Sequence, residues 1–111
     1  MDNTTYMVKD RVLFVRLTKE LDHHCAVGIR YTADELINQR QCDSVVFDFG
    51  NTVFMDSSGI GVIMGRYRKV KEHGGFVGVM GVGESINRIL EISGMYKLVE
   101  KLDVKEEYNG V

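Results

Sequence analysis

A junction between Val53 and Tyr67 leaves the backbone few choices, because an apolar run there gives way to a capped helical pattern. Val53, Phe54 and Met55 are apolar, and Asp56, Ser57 and Ser58 follow. Asp and Ser are the short polar types whose side-chain oxygens accept the free N–H groups of a first helical turn. From Gly59 on, Ile60, Ile63, Met64, Tyr67 and Val70 recur at helical spacing and mark one buried stripe. The chain therefore turns a corner at Ser58, which stands at the positive end of a helix. Aligned peptide dipoles and unpaired N–H groups favour negative charge at such a place.

Elsewhere strand and helix signals alternate. Tyr6–Lys9 and Val12–Leu17 flank Asp10-Arg11, which predicts an antiparallel hairpin. The second strand is almost continuously apolar, as a strand covered on both faces requires. Asp22 is a good N-cap, and Ala26, Ile29, Ala33, Leu36 and Ile37 predict a first helix over about residues 23–40. Ser44–Phe49 reads as a strand closed by Gly50-Asn51. The helix after Ser58 should stop at Gly74-Gly75, the usual left-handed exit. Phe76–Met80 is a further strand. A third helix starts near Glu84 or Ser85, carries Ile86, Ile89 and Leu90, and stops at Gly94. Leu98-Val99 and Leu102, with the charged tail, predict a short strand and a final helical turn.

Repeated strand–helix–strand units place later strands parallel in a mixed sheet with helices packed on it. The fold class is α/β, with a mixed, mostly parallel sheet. No repeat, linker or low-complexity tract divides the chain, so residues 1–111 read as one domain, and 44% hydrophobic residues suffice for a core. The net charge of -2 lacks the clustered positive excess of a nucleic-acid-binding domain. No run approaches the roughly 18 apolar residues of a membrane span, and the first residues do not resemble a secretory signal. The expectation is a soluble, cytoplasmic protein without direct nucleic-acid or membrane partners.

Gly61 and Gly65 lie inside the helix that Ser58 begins, and an interior glycine costs about 0.5 to 1 kcal/mol relative to alanine. Counting around the helix, Ser58, Gly61 or Val62, and Gly65 share one ridge, offset from the buried stripe. Two readings are open. The glycines let the helix pack closely on its neighbours, or they present a flat docking ridge headed by the Ser58 hydroxyl.

Other constellations have plainer explanations. His23-His24-Cys25 is not a metal site, since adjacent side chains at a helix start diverge and no further ligands lie nearby in sequence. Cys25 and Cys42 have no C-x-x-C spacing and read as free thiols. Gly78, Gly81 and Gly83 match neither phosphate-binding glycine motif, and Glu84 would repel a phosphate. Arg66, Arg68, Lys69 and Lys71, with Arg40, read as a solvated helix face. Ser58 lacks the G-x-S-x-G elbow of a hydrolase nucleophile, and no base is assigned to it from His23, His24 or His73. An enzymatic role is not indicated, and no cofactor is implied.

Asp56-Ser57-Ser58-Gly59-Ile60-Gly61-Val62-Ile63 resembles the D-S-S/T-G-[LI]-G-V-[IL] signature of bacterial anti-sigma-factor antagonists, the family whose fold is called the STAS domain. Arg16-Leu17-Thr18 with Glu20-Leu21-Asp22-His23-His24 resembles the L-T-G-E-L-D-H-H segment of its sporulation members, with Lys19 in place of the common Gly. Gly65-Arg66-Tyr67 continues the match, and Ser93-Gly94 resembles the close of the family's third helix. The resemblance spans about residues 6–102.

That resemblance implies a regulatory switch. In the family the unmodified protein binds an anti-sigma factor that is also a serine kinase of the histidine-kinase-like ATPase fold, and so frees a sigma factor. The kinase phosphorylates the second serine of the motif, here Ser58, and the modified protein lets go. A metal-dependent serine/threonine phosphatase restores it. Asp56 and Ser57 would shape and cap the site, and Gly59, Ile60, Gly61 and Gly65 would supply the docking surface. The resemblance places Asp22 and His23 in the loop beside it. The alternative is a domain of the same fold that senses a small anion or nucleotide at the Ser58 helix start.

Overall fold

In the computed structural model, which describes residues 3–102, five strands form the main sheet in the order β1-β2-β4-β6-β7. These are β1 (Thr5–Lys9), β2 (Val12–Arg16), β4 (Ser44–Asp48), β6 (Val77–Met80) and β7 (Glu100–Leu102). Only β1 and β2 pair antiparallel, and the remaining neighbours run parallel. Asp10 and Arg11 both take positive φ, 52° and 66°, the conformation whose twist suits a two-residue hairpin.

Successive strand residues point to opposite faces, and the burial follows that alternation. Leu13, Val15, Val45, Phe47, Val77 and Val79 face the main core. There they meet α1 (His23–Asn38), α2 (Ser57–Lys71) and α3 (Glu84–Ile92), through residues such as Ile29, Ile63 and Leu90. Phe14, Val46 and Met80 form a second buried cluster on the other face, so the continuous apolar character of β2 is used on both sides. The α2 helix is followed by a turn with Gly74 at φ 76°, and Gly94 (φ 78°) ends α3 before a 3₁₀ turn over Met95–Lys97. The expected final helical turn in the charged tail lies outside the described residues.

A feature without a sequence signal is a second sheet of two short parallel strands, β3 (Glu20–Leu21) and β5 (Phe54–Met55). Two-residue strands are too short for any periodicity to announce. The segments are laced together beyond the strands. Thr52 Oγ1 donates to the Thr18 carbonyl at 2.7 Å, Val53 N to that of Lys19 at 2.8 Å, and Asp56 N to that of Leu21 at 3.4 Å. Because α1 follows β3 and α2 follows β5 directly, the lacing sets the starts of the two helices side by side.

The buried face of α2 is rotated from the expected stripe. Gly59, Val62, Ile63, Arg66 and Val70 are buried, whereas Ile60, Met64 and Tyr67 are only partly so. Val62 therefore leaves the exposed ridge, and Arg66 is not part of a solvated face. The reason is the neighbour: α2 packs sideways on α1 as well as down on the sheet, so its buried arc includes the α1 side.

Candidate functional site

The two adjacent helices begin alike. Asp22 is the N-cap of α1, and its Oδ1 accepts from Cys25 N at 3.1 Å. Asp56 is the N-cap of α2, and its Oδ1 accepts from Ser58 N at 2.8 Å. Both caps have extended backbone, which lets the side chain fold back over the first turn. The backbone hydrogen bond from Cys25 holds the Asp22 carboxyl below the usual aspartate range, against the weaker opposing effect of desolvation.

A cleft of about 240 Å³ opens between the helices, lined by His23, Val27 and Arg30 of α1 and by Ser58, Gly61 and Val62 of α2. Ser57 is exposed, whereas the half-buried Ser58 lines the cleft. The structure thus separates the two serines that the sequence presents side by side. Val53 and Phe54 stand exposed just before Asp56, at 60% and 49% of full exposure, and give the site an apolar rim.

The expected docking glycines divide into two kinds. A Cβ on Gly61 or Gly65 would meet nothing within 4 Å, so close packing inside this chain does not explain them. Gly59 is different. It is buried, and a Cβ there would lie 2.4 Å from Met55 Cγ and 3.0 Å from Leu21 Cδ2. Its missing Cβ permits close approach to the β3–β5 pair. Ile60 is partly buried against the core. Asp22, His23, Asp56, Ser57, Ser58 and Gly61 gather around the two helix starts, while Gly65 lies one turn further along α2 and outside the cleft lining.

Val27 and Arg30 were not among the expected site residues. Their signal is spacing from His23, since positions 23, 27 and 30 share a face of α1 at i, i+4 and i+7. Nothing local tells which neighbour that face meets. Among the described residues no group of three or more His, Cys, Asp or Glu side chains could hold a metal ion. The thiols are free, and burial pushes that of Cys42 up, which keeps it protonated and unreactive. No helix among the described residues is long and apolar enough to cross a membrane.

A family model described as the STAS domain matches residues 3–108. The chain is 45% identical over 92 residues to an anti-sigma F factor antagonist of Paenibacillus polymyxa, spanning 83% of this chain and 79% of that one. Among solved structures, the unphosphorylated anti-sigma factor antagonist SpoIIAA matches with a TM-score of 0.79 at 27% identity, over 94% of this chain and 91% of that one. The phosphorylated form of the Bacillus cell fate determinant SpoIIAA matches with a TM-score of 0.78 at 28% identity, over 94% and 93%.

Proposed function

We propose that this chain, which belongs to the STAS domain family, is an anti-sigma-factor antagonist switched by phosphorylation of Ser58. Unmodified, it binds an anti-sigma factor that is also a serine kinase, and a sigma factor is released. The kinase then transfers the γ-phosphoryl group of ATP to the Ser58 hydroxyl oxygen. ADP leaves, and the hydroxyl proton passes to a base on the kinase. A serine/threonine phosphatase hydrolyses the ester and restores the binding form. The protein acts in the cytoplasm as a regulator and not as an enzyme.

The observation that carries this reading is the placing of Ser58. It stands in the first turn of α2, beside an apolar rim and a glycine ridge that nothing in the chain requires to be bare. Asp22, His23, Asp56, Ser57, Ile60, Gly61 and Gly65 complete the partner-binding face around it. The antagonist named among the relatives supports the assignment.

A phosphate adds about -1.5 to -2 charges at neutral pH, and at a helix start this leaves the helix intact or stabilises it. The near-equal match of the chain to phosphorylated and unphosphorylated SpoIIAA supports a switch that does not refold the protein. Release then comes at the interface, from bulk and like-charge repulsion. Two unit charges 4 Å apart interact with about 4 kcal/mol at an effective dielectric constant of 20, equivalent to about a thousandfold in affinity.

The test is incubation with the anti-sigma kinase and ATP, followed by intact-mass measurement and peptide mapping. One phosphate at Ser58 is expected, absent in Ser58→Ala, which still binds the partner. Ser58→Asp should lose the partner with its fold kept. Modification at another residue, or normal binding by the Asp variant, would overturn the reading.

A further inference from the structure

We infer that Arg30 is the internal counter-ion of the phosphate on Ser58, and that the α1–α2 cleft holds this phosphate within the chain. The inference rests on the reading of Ser58 as the modified residue and says where the added charge goes.

At the helix start the phosphate meets a donor that is already engaged. The N–H of Ser58, one of the free donors of the first turn, is already taken by Asp56 Oδ1 at 2.8 Å. That carboxylate also adds a like charge next to the modified oxygen. A cation from another element offsets the charge of a dianion here. Arg30 lines the same cleft as Ser58, on the opposite wall.

Arg30 is available because its ordinary partner is occupied. Asp34 stands four residues further along α1, the spacing at which a helical ion pair forms. Its carboxylate is instead held by Arg66 of α2, with Nε 2.9 Å from Oδ1. Among the described residues Arg30 makes no ion pair. Its positive charge acts on Arg66 and lowers the pKa there, a smaller effect than that of Asp34 in the opposite direction. Side chains on a helix lean towards its N-terminus, which aims Arg30 towards the Ser58 end of the cleft. Gly61 lines the same cleft, and a Cβ there would meet nothing within 4 Å.

A guanidinium suits this task, since its planar fork can meet two phosphate oxygens at once. The other titratable groups around the phosphate are His23 on the Arg30 face of α1 and the two capping carboxylates, Asp22 and Asp56, each engaged with a backbone N–H.

The experiment installs phosphoserine at position 58 during translation, so that no kinase is involved, and follows its phosphorus-31 resonance through a pH titration. A neighbouring cation favours the dianion, so the second ionisation of the phosphate should lie about one pH unit lower in the otherwise unchanged protein than in Arg30→Gln. Arg30→Lys should recover part of the difference, and Gly61→Leu, which fills the cleft, should abolish it. In His23→Gln the dependence on Arg30 should persist. Superimposable titrations of the Arg30 and Arg30→Gln proteins would overturn the inference. If the kinase fails to modify Ser58 while the installed phosphate responds to Arg30, the functional reading falls and this inference stands. If the kinase modifies Ser58 and the titrations coincide, the reverse holds.

Discussion

Arg66 Nε lies 2.9 Å from Asp34 Oδ1 across the contact between α1 and α2, with the arginine side chain 5% exposed and the aspartate 25%. Arg66 Nη2 donates to Asp34 Oδ2 at 3.4 Å, and Nη1 has no hydrogen-bond partner among the described residues. Burial lowers the pKa of Arg66, Asp34 opposes that effect, and Arg30 adds to it. The pair joins two helices that are also linked by Lys69 Nζ, which donates to Asn38 Oδ1 at 3.0 Å, and by the laced β3–β5 segment at their starts.

Removing one member of such a pair should cost far more than removing both. Asp34→Ala leaves the Arg66 charge buried without compensation and is expected to destabilise the protein by about 3 kcal/mol. Adding Arg66→Met, which fills the same space without a charge, should recover most of that loss. Urea denaturation of both variants reads the difference, and an Asp34→Ala protein as stable as its parent would refute a structural role for the pair.

Gly61→Ala separates folding from docking. The helix should gain about 0.5 to 1 kcal/mol, since a Cβ there meets no atom of this chain. Binding of the anti-sigma factor should weaken if this ridge is the docking surface. Thermal unfolding and calorimetric titration on the same protein give the two numbers, and a rise in stability with unchanged affinity would remove Gly61 from the interface.

Arg40 adopts φ 63° just past the end of α1, where its N–H reaches the Ile37 carbonyl and that of Gln41 reaches Leu36, both at 3.0 Å. A left-handed residue in this place is ordinarily glycine. Arg40→Gly should stabilise the protein by about 1 kcal/mol, because the backbone strain is relieved and the carbonyl that Arg11 Nη1 contacts at 3.1 Å is retained. A loss of stability in urea would show that the Arg40 side chain matters more than its backbone.

The lowered pKa of Asp22 makes the start of α1 sensitive to acid. Its contribution is present above the ordinary aspartate value of 3.8 and fades as pH falls through the lower value it has when folded. Asp22→Asn keeps a side-chain acceptor for Cys25 N but has no charge to lose. The melting temperatures of the two proteins should differ near neutral pH in favour of Asp22 and converge in acid. A gap that does not change with pH would refute the coupling.

Much of the fold was legible because its signals are local. The turn at Asp10-Arg11, the cap at Asp22 and the exit at Gly74-Gly75 each depend on a few neighbouring residues, and all three are present in the structure. The junction at Asp56 was legible for the same reason. What was not legible depends on the packing of one segment on another. Arg66 sits among basic residues that do face water, and only Asp34, 32 positions away, makes its burial tolerable. Gly59 and Gly61 look alike in a helical pattern, yet one is pressed on Met55 and Leu21 and the other faces open space.

By itself, then, the sequence determined the three helices and the β1, β2, β4 and β6 strands of the main sheet, and that Ser58 begins a helix beneath an aspartate cap. Period and capping are properties of residues within a turn or two of one another. The tertiary structure alone decided that β3 pairs with β5, that His23 and Arg30 share a cleft with Ser58, and that Ser57 stands outside it. Those outcomes follow from packing two helices on one sheet, where the contact that settles each residue comes from a segment about 30 or more positions away.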